Sequence, residues 1–402
     1  MKTVTPETVG LASDRLSRIK PVMQAHIDRG ELPGLITMVA RRGQIAHSEC
    51  FGWMDIEANK LMQFDAIFRL ASLTKPVTSV AAMMLYEEGL FQLSDPVSEF
   101  IPEFHGSKVF AGISDGIMEL VDAEREITIG DILTFRSGLV SGYGDDQPLN
   151  ELYGAVGISK ERMTLGDLVR KLATLPLLHQ PGQAWRYGES YEVLARLVEV
   201  VSGNSFADFL RKRIFEPLGM LDTGFYIPVE KASRLTAAYG YSDTGKLEVL
   251  DSPETSQLLT PPILTSGGGN LLSTASDYMR FAQMLLNGGE LDGTRLLGRK
   301  TVDFMTTNHL SSEILPISTS PDEGWPAYGY GLGFGILLDV AQSQIIGSPG
   351  EYTWTGYWST YFWNDPQEQL VGILMTQVGP PYCWPNPLPP DFKVLVYQAI
   401  VD

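Results

Sequence analysis

Segments patterned as strands stand at both ends of this chain, and the long stretch between them carries helical spacing. "LITMVARRGQIAHSECFGW" (35–53) reads as two strands around an Arg-Gly turn, an antiparallel hairpin. The final third returns to strands in "YGYGLGFGILLD" (328–339), "TWTGYWSTYFW" (353–363) and "QLVGILMTQ" (369–377), the last after an Asn-Asp-Pro turn. A lone hairpin is marginal in water, so the first pair is expected to join the last strands in one sheet. From Ser72 to about Glu254 the pattern is mostly helical, with polar, glycine-rich loops such as "SGYGDDQP" at 141–148. The expected architecture is α+β: an antiparallel sheet flanked by helices, with a mainly helical domain inserted. Residues 1–75 and 255–402 are assigned to the sheet domain and 76–254 to the helical one, with an active site in the cleft between them.

At the N-terminus, Ser13 is the expected N-cap of a helix carrying Leu16, Ile19, Met23 and Ile27 on one face, with Pro21 forcing a kink or a late start. "DFKVLVYQAIVD" (391–402) is expected to close the chain as a helix docked on the sheet.

Composition narrows the function. An apolar fraction of 44% with 19% charged residues belongs to a folded chain with a sizeable core. A net charge of −18 argues against nucleic acid and anionic membrane surfaces as partners. The two cysteines, Cys50 and Cys383, imply no disulfide framework. "MKTVTPETVGLASDRL" has no apolar run of the kind a secretory signal needs, so a cytoplasmic protein is expected.

Two serines stand three residues before a lysine and four before a proline: "SRIKP" at Ser17 and "SLTKP" at Ser72. The spacing suits enzymes that activate serine with lysine, yet about one copy is expected by chance. Around Ser17 the neighbours Asp14, Arg15 and Arg18 are charged, which places Ser17 and Lys20 on a solvated helix face. Ser72 is preceded by "IFRLA" and followed by "VTSVAAMMLYEEG", an apolar run fit for a buried helix ending at Gly89. Pro76 lacks an N–H, so the helical ladder should start close to the serine. Ser72 is then at a helix N-terminus, where unpaired N–H groups favour a developing negative charge. Lys75 falls on the same face, and a lysine withdrawn from water gives up its proton more readily than a solvated one. Ser72 is the candidate nucleophile. There is no GxSxG elbow, and His26, His47, His105, His179 and His309 form no catalytic or metal-binding motif, so each is expected at the surface or in a loop and no metal is expected.

Six stretches in order along the chain resemble the β-lactamase-related serine hydrolases with the class C β-lactamase fold, and among these the family VIII carboxylesterases most closely. They are "FRLASLTKPVTSVAAMMLYEEG", "DILTFRSGL" (131–139), "PGQAWRYGES" (181–190), "PLGMLDTGF" (217–225), "GGGNLLSTASDYMRFAQMLLNGG" (267–289) and "YGYGLGFG" (328–335). The resemblance implies a β-lactamase/transpeptidase-like fold and an acyl-enzyme on Ser72, with no cofactor. "YGES" stands where the family has Tyr-x-Asn, which makes Tyr187 the implied catalytic tyrosine. A phenol becomes a competent base when a cationic lysine stabilises its phenolate, so Lys75 and Tyr187 would share the serine proton as one coupled unit. "WTG" (354–356) stands where the family has Lys-Thr-Gly, which gives the backbone N–H groups of Ser72 and Tyr357 as the implied oxyanion hole.

Two departures bear on substrate. Trp354 replaces the lysine that would attract a substrate carboxylate, and Glu189 replaces an asparagine that would hold a side-chain amide. Both changes weaken the hold on an anionic β-lactam or peptide C-terminus. The expected function is a carboxylesterase for small, neutral, fairly apolar esters, with Trp354, Thr355, Gly356, Glu189 and Tyr143 as candidate substrate contacts. Acyl transfer from the same acyl-enzyme, weak β-lactamase or D-amino-acid peptidase action, and a non-catalytic binding protein are the rivals.

Overall fold

The computed structural model describes the chain except residues 143–147, 159–161, 316, 321–322, 326 and 380–387, with backbone alone at 157–158, 318–320 and 323–324. Tyr143 and Cys383 therefore lie outside the described residues.

The two ends of the chain meet in one antiparallel sheet. Strands β1 (Gly34–Arg41) and β2 (Gln44–Asp55) form the N-terminal hairpin. Its turn residues Arg42 and Gly43 both have positive φ, 53° and 75°, the backbone hand that suits the twist of a two-residue hairpin. With β3 (Lys60–Leu61), β4 (Tyr328–Tyr330), β5 (Gly335–Leu337), β6 (Tyr352–Thr355), β7 (Tyr361–Asp365) and β8 (Leu370–Thr376), the spatial order is β4-β5-β6-β7-β8-β1-β2-β3. β1 lies beside β8, from Leu35 opposite Thr376 to Arg41 opposite Leu370. Both strands are buried along their length, and alternate side chains enter two different cores. Ile36, Met38, Val371 and Ile373 face one core, while Leu35, Val39, Leu370 and Leu374 face the other.

The second core is closed by helices from the two termini: α1 (Ser13–Leu16), α2 (Ile19–Asp28) and, at the far end, the helix Leu388–Tyr397. Leu16, Ile19 and Met23 meet Phe392 and Val396 there. The first core holds α3 (Thr74–Glu87), whose residues from Thr74 to Leu85 are all buried, so that it is packed on every side. Against it lie α4 (Ser190–Ser202) and, across β7 and β8, α5 (Ala275–Leu286). This is the expected β-lactamase/transpeptidase-like, mixed α+β arrangement. Among the described residues no helix is long and apolar enough to cross a membrane.

Several local expectations are corrected. Ser13 is the first helical residue; Ala12 takes the cap position and, being alanine, makes no side-chain cap bond, while the Ser13 N–H donates to Glu7 Oε1 at 2.9 Å. The helix breaks after Ser17 and restarts at Ile19, which puts Pro21 in a first turn whose N–H groups have no helical acceptor. The stretch 72–254 contains two antiparallel hairpins, Lys108–Ser114 with Ile117–Asp122 and Ala238–Tyr241 with Leu247–Asp251. "YGYGLGFGILLD" is two short strands, not one. His26 is buried in α2, bonded to Glu31 (2.7 Å) and Asp391 (3.1 Å). His47 sits within β2 beside Thr37, where burial holds its imidazole down to about 4.

The closing helix, α6 (Leu388–Tyr397), is docked by charge as well as by Phe392 and Val396. Lys393 meets the Glu351 carboxylate, and the Tyr397 hydroxyl bridges Glu351 (2.9 Å) and Asp365 (2.7 Å), all of them buried. Removing one partner leaves a charge stranded in the interior. Lys393→Met should therefore lower unfolding free energy by about 3–5 kcal/mol in urea. Arg299→Ala, which breaks an exposed pair with Asp303, should change it by less than about 0.5 kcal/mol. Equal losses in the two variants would contradict this account of how the helix is held.

Candidate active site

Ser72 follows a short paired segment, Phe68–Arg69 against Leu272–Ser273, and occupies a 3₁₀ turn, Ala71–Leu73, that runs straight into α3. Ala71 has φ 47°, a left-handed conformation that costs a non-glycine residue on the order of 1–3 kcal/mol. The turn is clamped by the Leu73 N–H on Leu70 O (3.1 Å), the Thr74 hydroxyl on Ala71 O (2.7 Å) and the Tyr278 hydroxyl on Leu73 O (3.0 Å).

Lys75, in the first turn of α3 and three residues after Ser72, is only 4% exposed. Its ammonium donates to Ser72 Oγ at 3.0 Å and to the Gly268 carbonyl at 2.6 Å, and lies 4.7 Å from the Tyr187 ring centroid. Tyr187 OH is 2.6 Å from Ser72 Oγ. The structure thus brings Ser72, Lys75 and Tyr187 together. Ser17 is exposed on α1's far end, with its hydroxyl on Asp14 O.

Aromatic packing fixes the phenol. Tyr187 stacks on Trp354 (6.1 Å between centroids, 23° between planes) and packs on Phe135 at 4.9 Å. Phe135 is itself at φ 55°, and its carbonyl accepts the Arg186 N–H at 2.8 Å. Ser137 and Ser190 hydroxyls, 2.9 Å apart, tie "RSGL" to the start of α4. Trp354 therefore stands behind the tyrosine, 3% exposed, and not on the cleft surface where a substrate contact was expected. A β6 side chain at this position points into the apolar core, which an indole fills and a solvated group would not.

The remaining expected positions divide by exposure. Thr355 is half-buried, and its hydroxyl donates to Thr360 O at 3.2 Å. Glu189 takes the N-cap position of α4 without a side-chain cap bond and lines the cleft. Tyr357 is 51% exposed and also lines it. Gly356 lets β6 approach the nucleophile turn, since a Cβ there would sit 2.3 Å from Leu70 O and 2.2 Å from Thr360 Oγ1. That contact sets the Tyr357 backbone beside the segment carrying Ser72.

Sequence reasoning missed the support beneath Lys75. Glu192, 2% exposed on α4, accepts hydrogen bonds from the Ser266 hydroxyl and from the Gly267 N–H (3.0 Å). The Thr78 hydroxyl holds Gly267 O at 2.7 Å, so the loop that offers the Gly268 carbonyl is fixed from both sides. A carboxylate flanked by Tyr191, Val193 and Leu194 on a buried helix was the available signal. The cleft has a volume of about 430 Å³, and among its described lining residues Lys75 is the one cation beside Glu189 and Glu192. No cluster of three or more His, Cys, Asp or Glu that could hold a metal occurs among the described residues. Chemically, one hydroxyl in contact with both a tyrosine oxygen and a lysine nitrogen can lose its proton to whichever of the two is deprotonated, phenolate or neutral amine, as it attacks.

Comparison with known proteins gives the family and the fold. The family described as Beta-lactamase matches residues 19–382. An uncharacterised protein of Mycobacterium tuberculosis is 34% identical over 362 residues, covering 88% of each chain. Esterase EstB of Burkholderia gladioli is 27% identical over 387 residues, 92% of each. The solved structure of EstCE1, described as a hydrolase with promiscuous acyltransferase activity, superposes with a TM-score of 0.81 at 26% identity, covering 96% of this chain and 99% of its own.

If the approach at Gly356 aligns the two segments, Gly356→Ala should slow fluorophosphonate modification of Ser72 about a hundredfold while the far-ultraviolet spectrum stays native. An unchanged labelling rate would show that this contact does not set the geometry.

Proposed function

The chain belongs to the beta-lactamase family, and from that premise we propose that it is a serine carboxylesterase for small, neutral, fairly apolar esters. The observation that carries the reading is the contact of one hydroxyl, Ser72 Oγ, with both Tyr187 OH (2.6 Å) and Lys75 Nζ (3.0 Å). In the proposed reaction Ser72 Oγ attacks the ester carbonyl carbon while its proton passes to the Lys75–Tyr187 pair. The N–H groups of Ser72 and Tyr357 hold the tetrahedral oxygen. The carbon–oxygen bond to the alcohol then breaks, and the alcohol leaves with the proton returned by the pair. Water attacks the acyl-enzyme by the same route, releasing the acid and restoring Ser72.

Charge in the cleft supports a neutral substrate. The lysine that would meet a carboxylate is replaced by a buried tryptophan, and Lys75 is committed to Ser72 Oγ and Gly268 O. Glu189 and Glu192 add negative charge, so an anionic β-lactam or peptide terminus would find repulsion without a counter-ion. Acyl transfer is the second reading, favoured by the description of EstCE1. It uses the same acyl-enzyme with an alcohol in place of water, and analysis of products with added alcohol separates the two.

Ser72→Ala should abolish turnover of 4-nitrophenyl butanoate without unfolding the protein, and Ser17→Ala should leave it intact. Tyr187→Phe should lower kcat about 10²–10⁴-fold. A fluorophosphonate adduct should map to Ser72 by mass spectrometry. Full activity in Ser72→Ala would overturn the assignment.

A further inference from the structure

Beside the Ser72 cleft lies a second recess of about 410 Å³, joined to it at Asn270, which lines both. Ala71, the residue before the nucleophile, is part of its wall. Its buried floor is satisfied internally: Arg69 pairs with Asp251 and donates to Thr236 O (2.7 Å), and the Ser256 hydroxyl donates to Asp251 (2.8 Å). Its upper wall is different. The side chains of Asn270, Thr255, Gln257 and Trp358 make no hydrogen bond to any described residue. Asn270, Thr255 and Gln257 are exposed and Trp358 is half-buried with its ring edge-to-face on Tyr357, so two amides, a hydroxyl and an indole stand around one opening. Asn270 is held at φ 71°, an unusual conformation for a residue other than glycine, at the junction of the two spaces.

The neutralised floor offers no net charge to an ion, whereas paired donors and acceptors beside an aromatic face suit hydroxyl groups on a carbon skeleton. We propose that this recess binds a neutral, hydroxyl-bearing part of the ester, a polyol or a hydroxylated ring, and that Asn270 is its specificity-determining residue. The inference rests on the esterase reading above and divides the substrate. An apolar portion sits over Ser72, and a hydroxylated portion lies beyond Asn270.

The test compares matched esters. 2,3-Dihydroxypropyl butanoate against propyl butanoate places the hydroxyls in the alcohol. Propyl 2,3-dihydroxypropanoate against propyl propanoate places them in the acyl group. In at least one pair the hydroxylated ester should have the higher kcat/KM, which also says which half enters the recess. Asn270→Gly keeps the left-handed backbone while removing the amide, and should reduce that preference about five- to tenfold, with most of the change in KM. Gln257→Leu, at an exposed position, should reduce it in the same direction. Hydrolysis of all four esters with no preference in the wild type, or a preference untouched by both variants, would overturn this inference alone. A protein that hydrolyses none of them and leaves Ser72 unlabelled would overturn the esterase reading and this one with it.

Discussion

A lysine ammonium almost wholly withdrawn from water organises this molecule. Burying such a charge costs several kcal/mol even after relaxation, unless donors and acceptors replace the lost hydration. Here the replacement comes from three separate parts of the chain: Ser72 Oγ in the 3₁₀ turn just before α3, the Gly268 carbonyl from a loop, and the face of Tyr187. The loop in turn is held by Glu192 of α4 and Thr78 of α3. The packing of α3 against α4 is thus coupled to the position of one ammonium, and a shift of either helix would leave a charge or a carboxylate unsatisfied. That coupling explains why a helix so thoroughly buried carries a lysine at all.

Backbone strain is distributed to the same end. Six of the non-glycine residues at positive φ, Arg42, Asn59, Asp115, Asp292, Gln344 and Gln369, lie in turns or at helix ends, where a left-handed residue is ordinary. Ala71, Phe135, Asn270 and Ser359 are the other four, and all belong to the surroundings of Ser72. Ala71 aims the serine, Phe135 backs Tyr187, Asn270 lines the cleft, and Ser359 turns β6 into β7 through its hydroxyl bond to Val378 O (3.0 Å). Such strain persists only where packing over-determines it, which is the condition a preorganised site requires.

What was legible in the sequence was mostly local. The serine–lysine spacing places both side chains on one helix face whatever surrounds them, and the apolar run after it marks burial. That the N-terminal hairpin joins the C-terminal strands in one sheet followed from strand-like segments at the chain's two ends, but not which strand pairs with which. Tyr187 was different: nothing near it in sequence marks it, and only resemblance to a family motif brought it forward. Glu192 and the Gly268 carbonyl were invisible because their significance arises from contacts between segments far apart in sequence. One miss was avoidable. "SDGIM" carries an Asp-Gly turn between strand-forming residues, and the hairpin Lys108–Ser114 with Ile117–Asp122 forms around it, inside a stretch read as helical. The Ser13 cap missed by one residue: Ala12 holds the cap position and Ser13 begins the helix.

Trp354 shows how the chemistry expected of a position depends on where the fold places its side chain. The expectation was that an indole in place of a lysine changes what the substrate touches. The structure puts that indole behind the phenol, stacked on it and sealed from the cleft. Any effect on chemistry is then indirect. A lysine here would have supplied a second positive charge to a phenolate at Tyr187, whereas the tryptophan supplies only a flat surface that restricts the ring. Any negative charge gathered on that oxygen has Lys75 as its counter-charge within the cleft lining. In the proposed reaction the Ser72 proton thus has one lysine and one phenol as its neighbours.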